Sequence, residues 1–510
     1  MIIISSPFFL YLPEIIFMTR IGFGIIVLLL IAFQSNAQIN NTPNCEKAYH
    51  KIMSLKFDEA EKYLSLEKQA SPENSYTAYL ENYMLFLKIF ISENEKIFDN
   101  AEETRQQREE IIKQLSKNSP YRNYFLANMN LQWAFSRLKF DEYFSAAIEI
   151  NRAYRLIEEN TNRFPEFYPN KITHGVLKII VGLIPKKYNW ILNIVSLEGG
   201  VKSGTDELYE VLEISKTDTN AYLKEEALFY LGFVELNINP DKKNSLKLLN
   251  EILPLSDSSL LFAYLSINIL TKTGQNEYAS ILFNKIQNRQ GYYPFYYLDY
   301  LNGNFFLKNM DIENARKMYS KFLENFEGKN YIKDAWRKMA WTYLLEGNTK
   351  GYKHILSNVA TQGYDDIGID KEAMAEYESG EIPNAILIKA RLLFDGHHFV
   401  EADSVLNMLN ETDLNYNQRL EKSYRQARIK HSENKIVEAK KYYKNVVVNS
   451  ELTTNYFPAN SALKLGEIYE SEDSNIMAYY YYKKCTEMNF EQFENSIKAK
   501  GKEGMSRVNN

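Results

Sequence analysis

A chain of 510 residues is too long for one small domain and long enough for several packed units. Hydrophobic residues at 45% and charged residues at 25% are ordinary for a folded protein, which argues against extensive disorder. The net charge of −5 is spread without a basic block, so a nucleic-acid partner is not expected.

The N-terminus reads as an address. Arg20 precedes an apolar stretch over 21–33, and Ser35, Asn36 and Ala37 place small residues at a cleavage point. This is a secretory signal pattern with expected cleavage after Ala37, so residues 1–37 are read as a signal peptide with an upstream extension before Met18. The apolar core is shorter than the ~20 residues of a spanning helix. Membrane association is expected only if the segment stays uncleaved, in which case it is an anchor. The Ala37-Gln38 junction resembles those of exported Gram-negative proteins, which points to the periplasm.

Residues 38–163 follow as helical hairpins. The phrase Leu55-Lys56-Phe57-Asp58-Glu59 recurs as Leu138-Lys139-Phe140-Asp141-Glu142, each read as the turn between two antiparallel helices. Cys45 and Cys485 are the only cysteines, which excludes a disulfide framework or a cysteine zinc site. Both are expected to be free, buried and apolar. The paired acids Glu102-Glu103 and Glu109-Glu110 sit among Arg105, Arg108 and Lys113 and read as a wet helix face.

Residues 164–205 differ. Pro165, Pro169 and Pro185 interrupt them, and Gly175, Gly182, Gly199, Gly200 and Gly204 cluster there although glycine is scarce elsewhere. Two apolar helices are expected, over 175–184 and 187–197. The glycines suit either close helix packing in a buried plug or an apolar contact patch.

From 206 to 510 a repeat is plain. Ala279, Ala315, Ala402, Ala439 and Ala478 are each followed four residues on by a large apolar or aromatic residue and seven on by Ile286, Phe322, Leu409, Val446 and Cys485 in turn, as in Ala315, Tyr319 and Phe322. This is one helix face. Twelve residues earlier stand Ile267, Gly303, Ala390, Ala427 and Gly466, which sit in the preceding helix. Neighbouring anchors lie 36, 37 and 39 residues apart. The best unit is Ala462, Leu465, Gly466, Tyr469, Ala478, Tyr482 and Cys485, with Tyr443 the large residue of the unit before. A further unit uses Trp336, Ala340, Tyr343 and Leu356.

These positions resemble the tetratricopeptide repeat. The resemblance implies an all-α fold, an α-solenoid of antiparallel helix pairs forming a right-handed superhelix. The central region also resembles the eukaryotic inclusion-body-clearance family of tetratricopeptide proteins. The matching residues are Gly175-Val176-Leu177, Leu183-Ile184-Pro185, Ile191-Leu192, Ile194-Val195, Gly200 and Gly204, with Ser196 where that family has glycine. That likeness implies architecture rather than a cellular role.

The chemistry of catalysis is missing from the motifs. There is no GxxxxGK[ST], HExxH or GxSxG. Glu198-Gly199-Gly200-Val201-Lys202-Ser203 lacks the first P-loop glycine. None of the six histidines has metal-ligand spacing on a helix, and His397-His398 falls in an inter-helix turn. The expectation is a non-enzymatic protein without cofactor or metal. It is read as an interaction scaffold of the cell envelope that binds a protein segment in its concave groove. The 38 tyrosines are expected mainly to pack between helices, with a binding stripe as the alternative. Tyr296, Tyr297, Asn302 and Lys338 are the candidate groove residues. The rival function is a lipid- or glycan-binding protein with a pocket lined by Ile179, Leu183, Trp190 and Ile194.

Overall fold

The computed structural model describes residues 42–184, 199–217, 223–238 and 241–509. The signal segment 1–37 and the helix expected over 187–197 lie outside them. Every regular element among the described residues is helical, with 25 α-helices and three short 3-10 turns. They form two compact units, one of 42–298 with 325–329, the other of 299–324 with 330–509.

The first unit is a row of six hairpins. Helices α1 (Pro43–Met53) and α2 (Phe57–Ala70) make the first. Helix α3 (Tyr76–Ser92), the short α4 (Glu95–Asp99) and α5 (Glu102–Lys113) make the second. Then come α6 (Pro120–Lys139) with α7 (Tyr143–Arg163), and α8 (Pro169–Leu183) with α9 (Val201–Ile214). The last two are α10 (Lys224–Asn237) with α11 (Lys242–Ile252), and α12 (Leu260–Thr273) with α13 (Asn276–Lys285). The first helices of successive pairs stack in order, α1 on α3, α6, α8, α10 and α12.

The end of this row returns to its beginning. Ser259 Oγ donates to the Met53 carbonyl at 2.8 Å, and the Tyr293 amide donates to the Leu55 carbonyl at 2.6 Å. The Tyr293 ring packs 4.9 Å from Phe57. Closure buries the first helices on nearly every side, and Tyr49, Tyr79, Tyr83 and Tyr230 are core residues. Polar side chains drawn inside find each other, as Asn82 with Gln132 at 2.7 Å and Arg105 with both oxygens of Glu149 at 2.7 and 2.8 Å.

The glycines of 164–205 act here. Pro169 starts α8 in the first helical turn, where its missing N–H costs nothing. A Cβ at Gly175 would lie 2.8 Å from the Gly204 carbonyl oxygen, and one at Gly182 would lie 2.8 Å from Gly200 Cα. Helices α8 and α9 therefore meet backbone to backbone. Ile179, expected to line a lipid pocket, is packed against Gly204. Trp190 and Ile194 lie outside the described residues.

The second unit begins within α14 (Tyr297–Lys308) and includes most of α15 (Ile312–Asn325). Helices α16 (Ile332–Leu345) and α17 (Thr349–Leu356) pair next, then α18 (Gly368–Ser379) crosses α16. Three more pairs follow, and α19 (Ala385–Asp395) joins α20 (Phe399–Asn407) in the first. The others are α21 (Tyr416–Ser432) with α22 (Ile436–Val448), and α23 (Phe457–Ser471) with α24 (Asn475–Glu487). Helix α25 (Glu494–Val508) covers the last pair.

The anchor alanines hold throughout. Ala279, Ala315, Ala402, Ala439 and Ala478 are fully buried, and so are Ala60 and Ala146 in the N-terminal hairpins. Tyr319, Tyr443 and Tyr482, four residues on, are also core. Gly303 faces Tyr319 and Gly466 faces Tyr482, where a Cβ would come within 2.7 and 2.5 Å of a ring carbon. Tyr469 is half-buried and stacks on Tyr481 with centroids 5.6 Å apart.

One turn geometry serves eight hairpins. The residue five before each anchor alanine is left-handed, and Gly347 stands likewise five before the buried Tyr352 of α17: Leu55, Asp141, Gly274, Met310, Gly347, His397, Asn434 and Asp473, with φ between 56° and 82°. The next amide reaches back five residues, as from Lys435 to the Lys430 carbonyl at 2.8 Å, which satisfies an orphan carbonyl at the helix end. This sets the register. Leu55 corresponds to Asp141, so the recurring Leu-Lys-Phe-Asp phrase marks two turns but is out of phase by three residues.

Cys45 and Cys485 form no disulfide, and both are buried. Burial pushes their thiols up to about 11 and about 12. No described helix is long and apolar enough to cross a membrane.

Candidate functional site

Two places in the second unit gather polar chemistry, and they differ in access. The first is a buried ionic cluster on α14, α16 and α18. Asp334 accepts from Tyr300 Oη at 2.6 Å and from Lys338 Nζ at 2.7 Å, and it also pairs with Arg337. Lys338 reaches Asn304 at 2.8 Å as well. From α18, Asp370 accepts the Tyr331 and Asp334 amides at 2.7 and 2.8 Å, which caps the N-terminus of α16 from another helix. Glu376 accepts from Trp341 at 2.8 Å and Tyr352 at 2.9 Å.

Burial alone would raise Asp334, but the Lys338 and Arg337 charges outweigh it and hold the carboxyl at about 2. Burial pulls Lys338 down to about 8, and Asp334 limits the fall. Burial also raises Asp370 and Glu376 above the ordinary carboxylate range. Shifted groups of this kind mark functional sites in clefts. Here Asp334 and Asp370 are fully buried, and the cluster's hydrogen bonds join its own helices. The arrangement fastens α14, α16 and α18 together.

The expected groove residues divide between the units. Tyr296 and Tyr297 are half-buried in the first, with the Tyr297 ring 5.9 Å from Tyr264. Asn302 and Lys338 belong to the second, where Asn302 is 4% exposed and Lys338 is a member of the ionic cluster.

The second place is open. A cavity of about 660 Å³ lies against α19, α21, α22, α23 and α25. Phe394, Tyr424, Tyr443, Tyr456 and Phe493 supply its aromatic surface. Arg428, Lys464 and Lys500 supply charge, and no Asp or Glu lines it. The Arg428 guanidinium lies 4.1 Å from the Phe394 ring centroid and 5.8 Å from that of Tyr424. Its carboxylate neighbour Asp395 is 3.9 Å away, beyond hydrogen-bond distance. Lys464 pairs with Glu467 at 2.6 Å, and Lys500 is exposed at the rim. Asn460 donates to Tyr424 Oη at 2.7 Å and fixes that ring. Burial, reinforced by Lys464, pushes the His431 imidazole below its ordinary value.

Sequence reasoning missed this cavity, although a signal was present. Tyr424 and Arg428, Asn460 and Lys464, and Ser496 and Lys500 are i, i+4 pairs spaced 36 residues apart. Each pair stands on the first helix of a hairpin or on the capping helix. A cation therefore recurs on three stacked helices, at positions between those that carry the packing pattern.

No protein-family model matches the chain, and no curated protein matches it. Several solved structures are similar. The APC/C hetero-tetramer Cut9–Hcn1 is 11% identical, with 91% of this chain and 96% of that chain covered, at a TM-score of 0.28. The human IFIT1 dimer with PPP-AAAA is 11% identical, with 96% and 98% covered, at 0.33. A designed circular tandem repeat protein is 12% identical, with 97% and 96% covered, at 0.13. The chain is similar to tetratricopeptide-type helical-repeat proteins. At these scores nothing those proteins bind is carried over, and the repeat assignment rests on the anchors and turns described above.

Proposed function

We propose that the protein is a non-catalytic scaffold of the cell envelope, exported through its N-terminal segment, that binds a segment of a partner protein. The observation that carries the reading is the 660 Å³ aromatic and cationic cavity against α19, α21, α22, α23 and α25, in the C-terminal part of the second unit. Its tyrosines offer rigid contact area with little side-chain entropy to lose, and the stacked helices hold them in place. Asn302 and Lys338 are assigned a holding role beneath the surface rather than contact with the partner, because both are drawn into the helix packing.

The test is crosslinking of the C-terminally tagged chain in its own host, followed by mass spectrometry. The expected result is one or two envelope proteins crosslinked beside Lys464 and Lys500, on a chain that begins near Gln38. Crosslinks confined to other faces, or a lipid or glycan copurifying in place of protein, would overturn the scaffold reading. A chain that still begins at Met1 or Met18 would overturn the cleaved-signal reading alone.

A further inference from the structure

We infer that the cavity takes an extended, acidic partner segment whose carboxylates recur at every third residue, with apolar or aromatic side chains between them. The inference rests on the scaffold reading and specifies its ligand.

The argument begins from charge. Arg428, Lys464 and Lys500 face one cavity, and no carboxylate lines it. Asp395 stands 3.9 Å from Arg428, too far for a hydrogen bond, so the guanidinium keeps donors for another acceptor. Its plane is held by Phe394 at 4.1 Å, which orients it before any ligand arrives. Lys464 is bound to Glu467 on its own helix and is partly neutralised. Arg428 is therefore the strongest of the three points, and Lys500 the most accessible.

The spacing follows from the fold. The three cations stand on α21, α23 and α25, which pack in sequence. Stacked helices lie ~8–10 Å apart. An extended chain in the polyproline-II conformation advances ~3.1 Å per residue and returns every third side chain to the same face. Carboxylates that meet successive cations are thus about three residues apart. Between the cations the walls are Tyr424, Tyr456 and Phe493, with the Tyr456 and Phe493 rings edge to face at 5.0 Å. Apolar side chains placed between the acids meet these rings.

The test uses the full chain and fluorescein-labelled peptides in titrations read by anisotropy. The matched probe is Gly-Glu-Phe-Ala-Glu-Phe-Ala-Glu-Gly with blocked ends. The controls are the same peptide with glutamine for each glutamate, an isomer with the three glutamates adjacent, and a ten-residue oligothymidylate. The matched probe is expected to bind at least tenfold more tightly than each control. Arg428→Gln is expected to weaken it at least tenfold, and Lys500→Gln about threefold. Lys500 is exposed, so that variant reports even where the Arg428 change disturbs folding.

Equal binding of the glutamine peptide, with loss in Tyr456→Ala, would overturn the acidic ligand and leave the scaffold reading standing. Equal binding of the adjacent-acid isomer or the oligothymidylate would overturn the spacing and make the cavity a general polyanion site. Binding of no peptide of any charge would overturn both readings.

Discussion

The contact between Gly466 and Tyr482 tests whether close helix approach is what the repeat requires of its small residues. A Cβ on Gly466 would stand 2.5, 2.6 and 2.9 Å from three carbons of the Tyr482 ring. Non-bonded carbons settle at ~3.5–4.0 Å, so the ring must retreat by about 1 Å. Behind it is Gly504, whose own Cβ would meet the ring at 2.5–2.6 Å, so α25 blocks the retreat. The Tyr482 hydroxyl is also tied to Glu470, which Arg507 holds at 2.8 and 2.9 Å. Overpacking of this kind costs ~1–3 kcal/mol. Replacing a helical glycine by alanine returns ~0.8–1.0 kcal/mol of propensity. With the ring's retreat blocked the cost lies in the upper part of that range, ~2–3 kcal/mol, so Gly466→Ala is expected to destabilise by about 1–2 kcal/mol net. In a Tyr482→Ala background the clash is gone and the same change is expected to stabilise by about 1 kcal/mol. Hydrogen exchange of the α23–α25 amides measures both, because it reads local opening free energy. A neutral or stabilising Gly466→Ala with Tyr482 present, or the same sign in both backgrounds, would refute the close-approach argument.

Three further outcomes follow from named contacts. Asp334→Asn removes the negative charge that faces buried Arg337 and Lys338 and turns one acceptor oxygen into a donor, and is expected to cost ~3–5 kcal/mol in urea denaturation at pH 7. That difference is expected to shrink as pH falls from ~4 toward ~2. The folded carboxyl, held at about 2 against an ordinary 3.8, takes its proton later than the unfolded one, so its stabilisation is lost through that window. Gly204→Ala drives a methyl into the Gly175 carbonyl and Ile179, and is expected to cost more than ~2 kcal/mol, read as faster exchange across α8 and α9. Asp473→Gly relieves a left-handed residue at φ 56° on an exposed turn and is expected to raise the urea midpoint by the equivalent of ~0.5–1 kcal/mol.

The repeat was legible because it is written in local spacing. An alanine followed at four and seven residues by large side chains puts one apolar stripe on a helix wherever the chain goes, and Ala315, Tyr319 and Phe322 are accordingly all buried. The hairpin register was harder to read. Leu55, Met310 and His397 occupy the left-handed turn position that glycine signals elsewhere, and only Gly274 and Gly347 announce it. The tyrosines show the same limit, since composition gives their number but not which side of a helix is covered. Among the described residues, eleven of the twelve largest fully buried side chains are tyrosine, so these eleven pack between helices.

By itself the sequence determined the helices, their pairing and the small residues at which they touch, because these depend on side chains a few residues apart. Tertiary structure alone decided what lies open. Closure of the first unit from Met53 to Ser259 joins residues 206 apart and buries its inner helices. The packing of α14 against α16 draws Lys338 onto Tyr300 and Asn304 beside Asp334, and α18 adds Asp370 to the α16 N-terminus. The stacking of α21, α23 and α25 brings Arg428, Lys464 and Lys500 to one cavity from helices 36 residues apart. A side chain's exposure is set by whichever helix packs over it, and that neighbour is chosen by the whole array rather than by the segment that carries the side chain.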